Sequence, residues 1–270
     1  MGTDRIRMLL ADVDGTLVDQ QKQLTDAAVD AVRKLHDAEV LFAVTSGRPP
    51  KGMAMLIDPL DLQTPLAGFN GGIFVQRDMT VIEQKTLPAD LVAPIAEVIS
   101  SFDLDVWIYQ GADWYVPDPD GPHVDRESRT VQFKPKVMKD VTDHTESVAK
   151  IVGVSDDHDA IKAATKAVQD RFGNHVAASP SQPYYLDVTH PEANKGSVAK
   201  YLAARYELRP DQIATIGDMP NDIMMFEHSR LTIAMGNADE KVKTAAAEVT
   251  DGNDDDGFAK AVERFILPEA

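Results

Sequence analysis

Acids fall where apolar runs stop. Residues 6–13, IRMLLADV, form one such run, and Asp12 and Asp14 stand one residue apart at its end, followed by Gly15 and Thr16. Residues 212–218, QIATIGD, form another, ending on Asp218 with Asn221 and Asp222 close behind. Between them the chain carries Thr45-Ser46-Gly47-Arg48, Asn70-Gly71-Gly72 and Lys195. Taken singly, each has an ordinary reading: Asp-Gly is a turn pair, Asp218 and Asp222 suit a helix cap, and a lone lysine is a solvated one. Taken together they suggest a site. Two like charges 4 Å apart cost about 4 kcal/mol at an effective dielectric of about 20, so three or four clustered carboxylates require a cation. An all-oxygen donor set with no cysteine and no histidine pair favours Mg²⁺ over zinc or copper. Mg²⁺ beside a serine hydroxyl, loop amides after Gly47 and Gly71, and one lysine suits a phosphate, whose repulsion from an attacking carboxylate the cations would offset.

Such convergence needs a scaffold, and the hydrophobic pattern supplies one. Residues 6–13, 40–46 and 64–71 read as buried strands, and residues 25–39 as a helix capped by Thr25 with Ala28, Val29, Val32 and Leu35 on one face. The pattern resumes near the C-terminus: a helix at 195–206, a strand at 212–218, a short helix at 221–229, a strand at 231–237 and an amphipathic helix at 255–266. Alternating strands and helices predict an α/β fold with a Rossmann-like parallel sheet. In such a sheet ligands sit beyond the carboxyl ends of the strands, where every polar group named above falls. The middle differs. A helix at 90–101 and another at 157–172 accompany strands at 104–109, 114–118, 130–137, 149–155, 175–180 and 184–189, separated by turn clusters. The chain therefore reads as a core of residues 1–83 and 189–270 interrupted by an α+β insertion at 84–188.

Composition narrows the function classes. The chain has 270 residues, is 43% hydrophobic and carries a formal charge of -17, with no run of Lys and Arg to bind nucleic acid or an anionic membrane. It contains no cysteine, which excludes disulfides, thiolate metal sites and a cysteine nucleophile and fits a reducing cytoplasm. The start MGTDRIRMLLADVD makes a poor signal peptide. Met1-Gly2 is followed by Ile6 where a myristoylation signal needs Ser or Thr. No apolar stretch reaches the roughly 20 residues that span a bilayer. The seven histidines are scattered without metal-binding spacing. Residues 251–257, DGNDDDG, miss the glycine and glutamate of a calcium loop, and residues 194–197, NKGS, lack the upstream glycine of a P-loop.

Four motifs occur in order: DVDGT (12–16), TSGR (45–48), NKG (194–196) and GDMPND (217–222). With residues 234–250, AMGNADEKVKTAAAEVT, they make the chain resemble the haloacid dehalogenase superfamily of phosphatases over nearly its whole length. It is most similar there to the Cof-like subgroup, which acts on sugar phosphates and other small metabolites. The resemblance implies a core with an inserted α/β cap, and Mg²⁺ as cofactor. It implies Asp12 as nucleophile and metal ligand, and Asp14 as proton donor and acceptor that also gives its backbone carbonyl to Mg²⁺. Ser46 and Gly47 would hold phosphate, Lys195 would pair with nucleophile and phosphate, Asp218 would bind Mg²⁺ directly, Asp222 would act mostly through metal-bound water, and Asn221 would orient phosphate. Asn70 and Asn194 are secondary candidates. Met219-Pro220 stands where the family often has small or polar residues, which puts only that loop's fine geometry in question. The expected partner is a small phosphorylated metabolite, and the expected assembly a monomer or weak homo-oligomer.

In the insertion, His123, Asp125, Arg126 and Arg129 read as a polar loop, with Tyr184 and Tyr185 near the return to the core. These residues could touch substrate or simply be solvated and packed. Alternatives to a phosphatase are a phosphomutase on the same scaffold and a non-catalytic, Mg²⁺-dependent phospho-ligand sensor. A dehalogenase has no use for the metal that Asp218 and Asp222 imply.

Overall fold

The computed structural model describes residues 5–111 and 113–267, so the Met1-Gly2 start lies outside the described residues. Strands and helices follow in the order β1 (Met8–Asp12), α1 (Asp26–Asp37), β2 (Leu41–Thr45), β3 (Leu66–Gly68), β4 (Ile73–Val75), β5 (Val81–Gln84), α2 (Ala89–Ser100), β6 (Asp105–Gln110), β7 (Asp113–Val116), α3 (Val124–Val131), β8 (Lys136–Val137), β9 (Val148–Val154), α4 (His158–Phe172), β10 (Ala177–Gln182) and β11 (Tyr185–Thr189). The chain then continues through α5 (Lys195–Arg205), β12 (Ile213–Gly217), α6 (Ile223–Phe226), β13 (Leu231–Ala234), α7 (Glu240–Ala245), β14 (Glu248–Val249) and α8 (Gly257–Ala261).

Two sheets result. The first has the order β14-β13-β12-β1-β2-β3-β4-β5, parallel from β14 to β3 and antiparallel over β4 and β5. Its central strand β1 is buried at all five positions, as expected of a strand covered on both faces. Alternation along it splits the core. Leu9 and Ala11 pack with Val32 and Leu35 of α1 and Phe258 of α8, while Met8 and Leu10 face Val198 and Leu202 of α5. Thr25 caps α1 through its hydroxyl, which accepts from the Ala28 amide at 3.1 Å. Ala31 joins the buried face of α1, and Val29 is only half-buried.

The second sheet, of order β10-β11-β9-β6-β7-β8, is antiparallel except for the β7–β8 pair. One face packs on α2 and α4 through Val106, Ile108, Ile151, Leu186 and Val188. The other face carries Trp107, Tyr109, Trp114 and Tyr185 into the same hydrophobic cluster as Met53 and Phe69, which belong to the segment between β2 and β4.

Several expectations change. The segment between β2 and β3 contains a 3₁₀ helix, Pro50–Leu56. The third strand shortens to β3, because Phe69 and Asn70 adopt left-handed backbone conformations in a 3₁₀ turn, Phe69–Gly71. The chain around His123, Asp125, Arg126 and Arg129 is the helix α3, not a loop, and the expected strand at 130–137 contracts to β8. β5 ends at Gln84, and β11 runs to Thr189, one residue past the expected end of the insertion. Among the described residues, no helix is long and apolar enough to cross a membrane.

Candidate active site

The carboxyl ends of β1, β2 and β12 lie side by side. Asp12 pairs in register with Thr45, and Ala11 with Ile216. Strand geometry therefore delivers Asp12, Ser46 and Asp218 to one edge of the sheet from segments more than 200 residues apart. Asp12, Asp218 and Asp222 are all buried, and one carboxylate oxygen from each lies within 4.8 Å of the others.

Lys195, at the first turn of α5 and 2% exposed, binds this group from below. Its ammonium donates to Asp12 Oδ1 and to Asp222 Oδ1, each at 2.6 Å. The other Asp222 oxygen accepts from the Asp218 and Met219 amides at 2.9 and 2.8 Å. Both Asp222 oxygens are thus engaged by the protein, and so are those of Asp218: the Thr16 hydroxyl donates to Oδ1 at 3.2 Å and the Asn237 side-chain amide to Oδ2 at 3.4 Å. Two glycines make room. A Cβ on Gly15, whose φ is +85°, would lie 2.3 Å from Asp218 Oδ2, and one on Gly217 would lie 2.3 Å from the Asp222 carboxyl carbon.

The electrostatics follow from burial. Burial raises Asp12 well above the usual carboxylate range; Lys195 opposes that, and Asp222 and Asp218 add to it. Asp218 is pushed up to about 6, by burial first and Asp222 next, against Lys195 and Thr16. Burial depresses Lys195, but Asp12 and Asp222 more than offset it, so its pKa is raised and it stays an ammonium. Three buried carboxylates against one lysine leave an excess of negative charge. Close oxygen donors of that charge fit Mg²⁺. Asp12, Asp218 and Asp222 each offer a carboxylate oxygen that could hold it, and Asp222 also orients the lysine and the turn.

Asp14 does not join this cluster. Its carboxylate is gripped by Arg48, Nε to Oδ2 and Nη2 to Oδ1 both at 2.7 Å, and by Lys22 at 2.8 Å. Burial raises its pKa, but Arg48 and Lys22 together bring it below the ordinary value. Lys22 arrives because residues 14–24 fold back as a small flap, with bridges Asp14–Val18 and Val18–Leu24. Ser46 is buried, and its hydroxyl accepts from the Arg48 amide at 3.1 Å, leaving its own proton to donate. Gly47 is half-buried beside Asn70, whose side-chain oxygen accepts from exposed Asn221 at 3.4 Å. Asn194 is a helix cap: its side chain accepts from the Ser197 amide at 2.9 Å. Sequence reasoning gave no role to Arg48, Lys22, Thr16 or Asn237. Arg48 and Thr16 stand inside quoted motifs, Asn237 in the C-terminal stretch, and nothing marks Lys22.

A family model described as haloacid dehalogenase-like hydrolase matches residues 9–262. The chain belongs to the haloacid dehalogenase-like hydrolases. This hydrolase is 24% identical over 285 residues to a 5-amino-6-(5-phospho-D-ribitylamino)uracil phosphatase of Bacillus subtilis, covering 97% of this chain and 98% of the relative. It is 25% identical over 273 residues to the pyridoxal phosphate phosphatase of Escherichia coli, covering 97% and 99%. A crystal structure of a haloacid dehalogenase-like hydrolase from Bacteroides thetaiotaomicron superposes with a TM-score of 0.89 at 26% identity, covering 96% of this chain and 99% of that one. The architecture is accordingly a hydrolase core with an inserted cap, the second sheet with its helices, and the resemblance to Cof-like phosphatases holds. Membership and these relatives together make the chain a phosphatase.

Proposed function

We propose that this hydrolase is a Mg²⁺-dependent phosphatase of small phosphorylated metabolites, sugar phosphates among them, working through a phosphoryl group carried on Asp12. One observation carries the reading. A buried strand-end carboxylate is held by a buried lysine, grouped with two further acids, and followed two residues later by an acid fixed by arginine and lysine. The two named relatives act on a phosphorylated ribitylaminouracil and on pyridoxal phosphate, which supports a small-metabolite substrate.

In this reading an Asp12 carboxylate oxygen attacks phosphorus in line, and the bond from phosphorus to the ester oxygen breaks. The Ser46 hydroxyl and the Gly47 amide donate to phosphoryl oxygens, and Lys195 orients Asp12 and favours its ionised form against its burial. Bound Mg²⁺ would supply neutralisation of the carboxylate–phosphate repulsion. Asp14 protonates the departing alkoxide, then takes a proton from the water that attacks the aspartyl phosphate. Arg48 and Lys22 keep Asp14 ionised in the substrate-free geometry, the form suited to the second step. A phosphate dianion alongside would weaken their hold and let Asp14 acquire the proton the first step needs.

The test is inorganic phosphate release from sugar phosphates, phosphorylated cofactors, nucleotides and an aryl phosphate, with Mg²⁺ and with EDTA. Mg²⁺-dependent release from small esters is the expected result. Transfer between sugar positions without net release would make the chain a mutase, and ligand binding without turnover would make it a sensor.

A further inference from the structure

Resting on the Mg²⁺-dependent reading above, we propose that Asn237 is a positioning residue for the metal-binding carboxylate of Asp218. With Asn253 and Asp254 it forms a strut through which Mg²⁺ binding steadies the flap that carries Lys22 to Asp14.

The acidic stretch 251–257, DGNDDDG, has no part in the chemistry described so far, yet its backbone is seated against the catalytic edge of the core sheet. The Thr250 amide donates to the Ala234 carbonyl at 3.0 Å, and the Gly236 amide to the Asp251 carbonyl at 2.9 Å. A Cβ on Gly236 would lie 2.7 Å from the Asp251 carbonyl carbon, and one on Gly257 would lie 2.0 Å from the Asp251 carbonyl oxygen. The two glycines therefore let this loop lie directly on the end of β13, held by main-chain bonds.

Asn237 follows Gly236 and stands between the loop, the flap and the metal-binding turn. Its side-chain oxygen accepts from the Asn253 amide at 3.0 Å. That main-chain donor fixes which end of the side chain is oxygen, so the NH₂ group points the other way. It donates to the Gly15 carbonyl at 2.9 Å and to Asp218 Oδ2 at 3.4 Å. One side chain thus ties the segment that follows Asp14 to the acid that follows β12. A carboxylate oxygen has more than one lone pair, so donation from Asn237 leaves room for a metal on the same group. Partners of this kind fix the rotation of a ligating carboxylate and with it the affinity for the ion.

The same loop grips the flap. The Asn253 side-chain amide donates to the Val18 carbonyl at 2.9 Å, and Asp254 Oδ1 accepts from the Gln20 amide at 3.0 Å. Leu17 and Val18 root the flap in the core. Beyond them the Lys22 amide closes a turn on the Asp19 carbonyl at 3.0 Å, and the Lys22 ammonium reaches Asp14. The chain of bonds Asp218–Asn237–Asn253–Val18 therefore has the metal-binding acid at one end and the segment that delivers Lys22 at the other. Coupling between two such ends is reciprocal: whatever orders Asp218 orders the flap, and the converse.

The test is calorimetric titration with Mg²⁺, together with hydrogen exchange of the Gln20 amide, in the wild type, Asn237→Ala and Asn253→Ala. Neither change touches the main-chain bonds that seat the loop, so folding is not their liability. Mg²⁺ affinity is expected to fall about tenfold or more in Asn237→Ala. It is expected to fall in the same direction in Asn253→Ala, although Asn253 bonds to Asn237 and Val18 and to no acid of the cluster. Mg²⁺ is expected to slow Gln20 exchange in the wild type and to lose that effect in both variants. Unchanged affinity in Asn237→Ala, with or without a lower urea midpoint, would reduce Asn237 to a structural contact and overturn the positioning role. A wild-type Mg²⁺ response at Gln20 in Asn253→Ala would overturn the strut. A wild type that binds no Mg²⁺ would overturn this inference and the metal-dependent reading together. The expected variant effects without phosphate release from any ester would overturn the phosphatase reading alone.

Discussion

Lys195 is the residue on which the site's charges balance. Replacing it with methionine leaves Asp12 and Asp222 buried without their counter-ion, which should cost about 3–5 kcal/mol in urea unfolding, far more than a surface lysine. Asp12→Asn is isosteric and relieves like-charge crowding. It should keep the fold by circular dichroism while phosphate release falls by about 10⁴-fold or more. Near-normal release from a folded variant would remove Asp12 from the nucleophile's role. Asp218 gives a pH signature. Its pKa rises from 3.8 in the unfolded chain to about 6 in the folded one, so between these values the folded state holds the proton more tightly. Its contribution to stability is complete below the lower value and is lost as pH rises through the upper one. Metal-free wild type should therefore lose urea midpoint relative to Asp218→Asn between about pH 4.5 and about pH 7, and added Mg²⁺ should reverse that loss. An unchanged difference across that range would contradict the buried-acid account.

At the scale of elements, the strand ends were readable from sequence and their pairings were not. A run such as MLLAD that stops on acids shows where a parallel strand opens onto a crevice, whatever its neighbours. Which cation meets which acid depends on the flap and on turns after β2, and no spacing records that Arg48 and Lys22 converge on Asp14. α3 was illegible for a different reason. Its only buried residues, Val124 and Val131, stand seven apart with polar residues between, and its flanks His123 and Gln132 are left-handed without being glycine. Neither the periodicity nor the caps that announce a helix are present. α3 seats on the 3₁₀ helix Pro50–Leu56 at Gly52, where an added Cβ would come 3.2 Å from Val131 Cα. Gly52→Val should thus displace the cap's seat. The expected outcome is a raised KM for phosphate esters with Mg²⁺ affinity, measured by calorimetry, nearly unchanged. A lost metal affinity would show that the contact supports the core instead.

Across the whole molecule, cap and core share apolar packing as well as a site. Both tryptophans of the chain, Trp107 and Trp114, sit on the cap sheet yet belong to the cluster that holds Met53 and Phe69. Tryptophan emission and far-ultraviolet dichroism should therefore report the same unfolding midpoint in urea, and a distinct early emission change would mean that the cap melts alone. The strand order has one more consequence, for the chain as it is being made. β1 emerges from the ribosome early, but one of its two neighbours, β12, is complete only at Gly217. Until then the growing polypeptide presents Met8 to Ala11 along an open, apolar edge for the time needed to translate the entire cap. The arrangement that brings Asp218 and Asp222 to Asp12 only once β12 is made also predicts that a synthesis stalled before Gly217 yields aggregate rather than a partial enzyme.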